Sequence, residues 1–360
     1  MGKIIIGNHV LSFDQIKKGI WPALSPYFEG ALLFCREWLG GKETFDLQTS
    51  GSTGIPKKIS VNRKQMEISA QATHDFFDIP EYADLLGCLN FEMIAGKMML
   101  VRAMEWNSNI YLVEPSSDPL TSFGPDRKFY FAAMVPLQLS ASIENPHSFQ
   151  KLSNIQNLII GGAPITMELK DKAADLPINI FQTFGMTETV SHVALAKIKR
   201  GEELIYQPLP GVHFSVDDTG KLSISAPMAQ EKMLITNDIV KLYPDNSFTW
   251  TGRSDFTINS GGIKIHPEEI ENIISTHIND TFPLCRFFIF GEKNQNFGEI
   301  ICLLIEQSDG NDKQVEDLQK KLKVHLSKYL VPKKIYFLKS FEETASGKIN
   351  RPATLEKLYL

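Results

Sequence analysis

Cysteine is scarce and scattered. Cys35, Cys88, Cys285 and Cys302 are the four in 360 residues, and no two form a CxxC pair. That spacing suggests neither a zinc knuckle nor a redox dithiol. A chain this long needs no disulfide staples, so a reducing, cytoplasmic setting is expected. Long apolar runs are also missing. No uninterrupted stretch approaches the roughly 18 residues of a spanning helix. Residues 1–10 contain Ile4-Ile5-Ile6 but lack the long apolar core and cleavage site of a signal peptide. Nor is there an excess of positive charge: 37 Lys and Arg stand against 42 Asp and Glu, a net charge of −5. A general binder of nucleic acid or anionic membrane is usually basic, so neither partner is expected, although local basic sites for small anions remain compatible. The eight histidines show no HExxH spacing, and no Ser-His-Asp or Cys-His set is evident.

What is present is ordinary globular composition, 43% apolar and 22% charged. At about 150 residues per domain the length suggests two domains. Short β-rich runs at 110–113, 128–135 and 158–160 alternate with helical patterns. One helix is predicted over 63–77, opened by Asn62 with Gln65 three residues on. This is the pattern of an α/β domain. After residue 279 the texture changes. Strands are predicted at 286–290, 299–305 and 333–338, and Val315, Leu318, Leu322 and Leu326 share one helical face. The polar stretch 252–262, with three glycines, is the expected boundary.

The most informative segment is Thr49-Ser50-Gly51-Ser52-Thr53-Gly54-Ile55-Pro56-Lys57-Lys58. Its glycines allow a tight turn with N–H groups pointing inward. Four hydroxyls and two lysines add donors and charge, a combination suited to a polyphosphate. It is not a Walker A loop, because Pro56 stands where that pattern requires its second glycine.

This segment resembles the phosphate loop of the adenylate-forming superfamily: acyl-CoA synthetases, peptide-synthetase adenylation domains and luciferases. The companion motifs of that family follow in order. Gly161-Gly162-Ala163-Pro164 comes after an apolar strand and, by the resemblance, lines the adenine. Phe184-Gly185-Met186-Thr187-Glu188 resembles the aromatic-Gly-x-Thr-Glu segment. It implies Phe184 on the adenine, Thr187 on the α-phosphate and Glu188 on Mg²⁺. Asp238 and Arg253 match the ribose-binding pair, with Asn237 where the family usually has Gly. Asp255 corresponds to the hinge and Gly261-Gly262 to the loop beside the pantetheine tunnel. Thr344-Ala345-Ser346-Gly347-Lys348-Ile349-Asn350-Arg351 resembles the terminal Gly-Lys-Ile-x-Arg motif, whose lysine is catalytic. Taken singly, several of these have plainer readings. Thr-Glu commonly opens a helix, and a tail lysine is commonly a solvated charge. Their order argues otherwise.

The resemblance implies an α/β fold of two parts. A large N-terminal AMP-binding domain over 1–254, with mixed sheets and packed helices, would precede a small mobile α+β domain over 255–360. It implies ATP, Mg²⁺ and coenzyme A as reactants and cofactor, with a small carboxylic acid as substrate and a homodimer left open. The run Met186-Thr187-Glu188-Thr189-Val190-Ser191-His192-Val193-Ala194-Leu195 and the segment Ile94-Ala95-Gly96-Lys97-Met98-Met99-Leu100-Val101-Arg102-Ala103 resemble the compact o-succinylbenzoate–CoA ligases of menaquinone synthesis. Longer members carry on the order of 100 or more extra residues before the phosphate loop. Phe91-Glu92 stands where the wider family tends to have Phe-His. Lys97, Met186, Ser191 and His192 are the acyl-pocket candidates, with Lys97 the expected partner of a second substrate carboxylate. The alternatives are another aryl or fatty acid ligase, a carrier-protein ligase, or a non-catalytic adenylate-binding protein.

Overall fold

The computed structural model describes residues 2–48, 58–230, 232–283, 285–344 and 349–359. Strands Phe129–Met134 and Ile155–Ile160 are almost wholly buried, as continuous apolar runs should be in a sheet covered on both faces. They belong to a parallel block whose spatial order is Asn179–Gly185, Ile155–Ile160, Phe129–Met134, Asp84–Gly87, Asn109–Leu112 and Lys3–Ile6. His9–Ser12 closes that side as an antiparallel edge. Beyond Asn179–Gly185 every pairing is antiparallel: His192–Lys197, Ile205–Pro208, Phe248–Arg253, Leu234–Leu242, Lys221–Ser225 and His213–Val216. All thirteen strands form one hydrogen-bonded sheet.

The side-chain period of two sends alternate residues to opposite faces. Leu85, Phe131, Ala133 and Ile159 join one core, against helices Pro26–Leu39, Arg63–Phe77 and Ile94–Glu105. Leu86, Ala132, Met134, Leu158 and Ile160 join the other, against Pro136–Glu144, Pro146–Leu152 and Met167–Ala174. The helix Arg63–Phe77 begins with the reciprocal cap expected of Asn62 and Gln65: each accepts the other's backbone N–H, at 2.9 and 3.1 Å. The strand expected at 158–160 starts three residues earlier, at Ile155. Its polar Asn157 is buried and satisfied, accepting from Asn179 Nδ2 at 3.2 Å, and it hides the strand in a reading for apolar residues.

The C-terminal sheet has five strands. Ile263–Ile265, Ile258–Ser260, Gly298–Glu306 and Phe287–Asn294 run in that order, and Lys334–Leu338 pairs parallel with Gly298–Glu306. Helices Pro267–Thr281 and Asp312–His325 place Ile270, Ile274, Ile278, Leu318 and Leu322 in its core. Leu322 is thus buried as its helical spacing predicted, whereas Val315 is only half-buried. This is the α+β unit expected of the C-terminal region. Among the described residues no helix is long and apolar enough to cross a membrane.

The two sheets meet at a charged seam. A Cβ on Gly252 would lie 2.6 Å from Glu268 Oε2, so any larger residue there would have to displace that carboxylate. Arg351 sits between the rings of Phe256 and Phe288. It donates to Glu271 Oε2 at 2.8 Å and reaches Glu268 Oε1 only at 4.0 Å. Glu268 Oε2 is buried without a partner among the described residues. Two carboxylates therefore share one guanidinium. Burial raises the Glu268 carboxyl to about 7, against the pull of Arg351. A folded-state value above the unfolded 4.5 means that the folded chain holds an extra proton between those limits. Stability then falls as pH rises through that window, by about 3 kcal/mol at most, and is level above it. Glu268→Gln is expected to raise Tm at pH 8 and to leave it nearly unchanged at pH 4. Thermal melts at both values check this. An equal shift at both would assign the effect to packing instead.

Candidate nucleotide and acyl site

In open α/β sheets, ligands gather beyond the carboxyl ends of the parallel strands, where neighbouring connections diverge. Here the sheet changes from parallel to antiparallel at Asn179–Gly185, and two of the sequence motifs emerge at that edge. Gly161 to Pro164 leave the end of Ile155–Ile160. Gly161 approaches so closely that a Cβ would fall 2.6 Å from Thr183 Oγ1, and Gly162 has φ +86°. Buried Gln182 pins this turn. Its Nε2 donates to the carbonyls of Ile160 at 3.2 Å and Ala163 at 3.3 Å, and its Oε1 accepts from Ile165 N at 3.1 Å. Sequence reading did not single out Gln182, since a glutamine inside a strand carries no motif of its own.

Phe184 is half-buried, edge-on to Phe248 at 5.0 Å and Tyr206 at 5.7 Å. At Gly185 a Cβ would fall 2.4 Å from Ser191 O, so the strand can bring Met186, Thr187 and Glu188 to the edge only with glycine there. Thr187–Thr189 is a single tight turn. Among the described residues neither the Thr187 hydroxyl nor the Glu188 carboxylate has a partner, and Glu188 is exposed. An exposed, unpaired carboxylate beside a free hydroxyl fits Mg²⁺, which keeps several waters and needs only one or two carboxylates with phosphate oxygens. Among the described residues no three acidic, His or Cys side chains cluster as a closed metal cage.

Asp238 and Arg253 face each other across neighbouring strands. Buried Asp238 accepts from Trp250 Nε1 at 3.0 Å, with Arg253 Nη1 at 3.9 Å. Arg253 also grips Asp255 with two parallel bonds, Nε to Oδ1 at 3.0 Å and Nη2 to Oδ2 at 2.7 Å. The structure thus joins the expected ribose pair to the expected hinge residue. Gly261 and Gly262, at φ +58° and +82°, form the turn of the hairpin pairing Ile258–Ser260 with Ile263–Ile265. Positive φ at both central residues is the hairpin turn that glycine favours.

The acyl candidates divide. Ser191 and His192 follow Thr189 after Val190 and meet a residue not singled out, Arg102. Its Nη2 donates to Ser191 Oγ at 3.0 Å and approaches His192 Nδ1 at 3.5 Å. The Thr73 hydroxyl donates to Ser69 O at 3.0 Å, so the Thr73 contact to His192 Nε2 at 3.2 Å places the ring proton on Nε2. His192 is held neutral: burial first, then the Arg102 charge, pushes its pKa well below the ordinary value. Burial also lowers the Arg102 guanidinium, to about 9, which leaves it charged at neutral pH. Arg102 is 2% exposed, its Nε is unpartnered, and no carboxylate among the described residues pairs with it. Lys97 lies on another side of the same helix, over the Phe34 ring at 5.7 Å and near Glu37 and Glu92. Met186 packs half-buried against the large core. The structure does not bring Lys97 together with Met186, Ser191 and His192.

Thr49, Ser50, Gly51, Ser52, Thr53, Gly54 and Lys57, and likewise Lys348, lie outside the described residues. The strands flanking the first group, Thr44–Gln48 and Lys58–Asn62, pair with Gln48 opposite Lys58. A cleft of about 840 Å³, lined by Tyr82, Asp84, Lys128 and Asn154 among others, opens at the amino-terminal edge of the parallel strands. That edge is opposite the motifs.

The chain is similar to several known proteins. Residues 47–227 match the family described as AMP-binding enzyme. A crystal structure of an acyl-CoA synthetase (AMP-forming)/AMP-acid ligase II-like protein from Dyadobacter fermentans is 37% identical. The match covers 95% of this chain and 97% of that one, with TM-score 0.64. A probable 2-succinylbenzoate–CoA ligase from Mycobacterium tuberculosis is 25% identical over 86% of this chain and 83% of its own length. O-succinylbenzoate coenzyme A synthetase from Bacillus subtilis, in complex with ATP and magnesium ion, shares the fold at TM-score 0.71 and 20% identity, over 86% of this chain and 69% of that one.

Proposed function

The chain belongs to the AMP-binding enzyme family, and we propose that it is an ATP-dependent acid–thiol ligase. It adenylates a carboxylic acid bearing a second acid group, foremost o-succinylbenzoate, and passes the acyl group to coenzyme A in cytoplasmic menaquinone synthesis. The observation that carries the second-acid reading is the buried, charged Arg102 beside Ser191, next to the Thr187-Glu188 turn, with no carboxylate paired to it among the described residues. A buried guanidinium without a counter-ion is costly, and a substrate carboxylate would complete it.

The chemistry follows from the groups at the sheet edge. A carboxylate oxygen is a poor leaving group until it carries AMP. The acid attacks the α-phosphorus of ATP in line, the bond to pyrophosphate breaks, and charge collects on the phosphoryl oxygens. Catalysis therefore needs positioned donors and cations rather than a protein nucleophile. In this reading residues 49–57 hold the β- and γ-phosphates, Thr187 donates to the α-phosphate, and Lys348 stabilises the reacting centre. Glu188 would hold Mg²⁺, which supplies charge neutralisation on the phosphates. Gly162, Ala163, Pro164 and Phe184 border the adenine, while Asp238 accepts from the ribose hydroxyls and Arg253 donates to them. Rotation about Asp255 then brings Gly261 and Gly262 to the thiol's path.

Acid-dependent pyrophosphate exchange across a panel of carboxylic acids tests the proposal. Exchange with o-succinylbenzoate, and CoA thioester formation from it, is the expected result. Exchange only with fatty or simple aryl acids would move the substrate to that class. Exchange with none would leave a nucleotide-binding protein.

A further inference from the structure

We propose that Thr189 is a positioning residue for acyl specificity: it locks Val190 in a γ-turn that aims Ser191 Oγ at Arg102. The proposal deepens the second-acid reading above and rests on it.

Val190 has φ +65° and ψ −51°, a region that β-branched residues almost never occupy. Ser191 N donates to Thr189 O at 2.7 Å across it. These are the dihedrals and the i→i+2 bond of the γ-turn that is rare and strained. Glycine would adopt the turn freely, yet a buried valine stands there, 1% exposed. Something must therefore hold it. The Thr189 hydroxyl is the group in place to do so. It accepts from Met186 N at 3.1 Å and lies 2.7 Å from Ser191 O and 2.9 Å from Met186 O. One hydroxyl proton serves one carbonyl at a time, and Ser191 O is the nearer. Thr189 and Ser191 are thus joined by two bonds, one from backbone and one from side chain. From the opposite side, Gly185 abuts Ser191 O so closely that no Cβ fits.

The turn has a directional result. It reverses the chain between the Thr187-Glu188 edge and strand His192–Lys197, leaving Ser191 half-exposed while its Oγ accepts from Arg102 Nη2 at 3.0 Å. Strain held at such a point is characteristic of sites where orientation matters. In an ordinary reverse turn Ser191 would leave Gly185 at a different angle, and Arg102 Nη2 would lose its bond to the Ser191 hydroxyl. Thr189 touches neither nucleotide nor acid in this account and acts through Ser191.

The test uses the full chain and acid-dependent pyrophosphate exchange. One substrate is o-succinylbenzoate; the other is 4-oxo-4-phenylbutanoate, which lacks the second acid. Thr189→Val keeps the shape and removes the hydroxyl. It should raise KM for the dicarboxylate about tenfold or more, while KM for ATP and for the monocarboxylate stays within about threefold. Thr189→Ser should restore the dicarboxylate KM. Thr189→Val combined with Arg102→Met should be no worse on the dicarboxylate than Arg102→Met alone, as expected of groups acting in series. Equal losses with both acids, failure of the serine rescue, or multiplying losses in the double variant would overturn the proposal. Should Thr189→Val not fold, Ser191→Ala carries the test, and an unchanged dicarboxylate KM there overturns it. A wild-type chain that exchanges with no acid would overturn the ligase reading and this proposal with it. Wild-type exchange with an unselective Thr189→Val would overturn this proposal alone.

Discussion

Lys348→Ala is expected to abolish acyl-adenylate formation while sparing thioester formation from a pre-made acyl-adenylate. The argument is electrostatic. In the first half-reaction negative charge gathers on the α-phosphoryl oxygens, and the groups proposed to meet it are the Thr187 hydroxyl, Mg²⁺ on Glu188 and the Lys348 ammonium. A lost donor at such a centre costs about 10²–10³ in rate, and a lost cation at least as much, so pyrophosphate exchange should fall by about 10³ or more. In the second half-reaction the thiol attacks a carbonyl and AMP leaves. The proposed rotation about Asp255 has by then taken the lysine away, so nothing is lost. Exchange and single-turnover transfer from synthetic adenylate measure the two halves separately. Equal losses in both, with folding intact, would put Lys348 in a common structural role.

Arg102→Met should separate substrates rather than half-reactions. The variant keeps most of the side-chain volume and removes a charge that is buried without a counter-ion among the described residues. Replacing such a charge with an apolar group is often neutral or stabilising, so Tm should hold or rise. Loss of a desolvated charge-assisted contact should cost the dicarboxylate about 2–5 kcal/mol in kcat/KM, roughly 30- to 4000-fold. The monocarboxylate should be nearly indifferent. Lys97→Met is the comparator, because Lys97 occupies the Phe34 side of the same helix. A selective loss in Lys97→Met with none in Arg102→Met would return the second-acid contact to Lys97. Equal losses for both acids in Arg102→Met would make it a core residue only.

Much of the fold was legible in sequence because its signals are local. The helix Arg63–Phe77 announces itself through Asn62 and Gln65, the hairpin turn through Gly261 and Gly262, and the parallel strands through continuous apolar runs. The motifs proposed to face the nucleotide carry a related signal: a Cβ at Gly161 would crowd Thr183 Oγ1 and one at Gly185 would strike Ser191 O, and both glycines stand next to the residues they allow into the proposed site. The acyl side was less so. Lys97 and Arg102 lie in one helix five residues apart, about 140° around its axis. That helix is apolar on most of its surface, so its pattern does not say which cation turns toward His192–Lys197. Only the packing of strand against helix settles it. Gln182 and Thr189 were illegible for another reason. Their work is to satisfy backbone carbonyls of turns whose shape no sequence pattern reveals.

The two parallel bonds from Arg253 to Asp255 bear on what this position can tolerate. A guanidinium is a fork with five N–H directions in one plane. One edge is committed to the Asp255 carboxylate, and Nη1 still points toward Asp238. Two carboxylates, Asp238 on the neighbouring strand and Asp255 just past the end of Arg253's own strand, are addressed at once by a single rigid group. A lysine would preserve the charge and reach either carboxylate, but a lone ammonium has no second edge and would have to choose between them. By that reasoning the swap usually counted as conservative would be among the harshest here, uncoupling the proposed pivot from the proposed ribose carboxylate without altering the net charge of the chain.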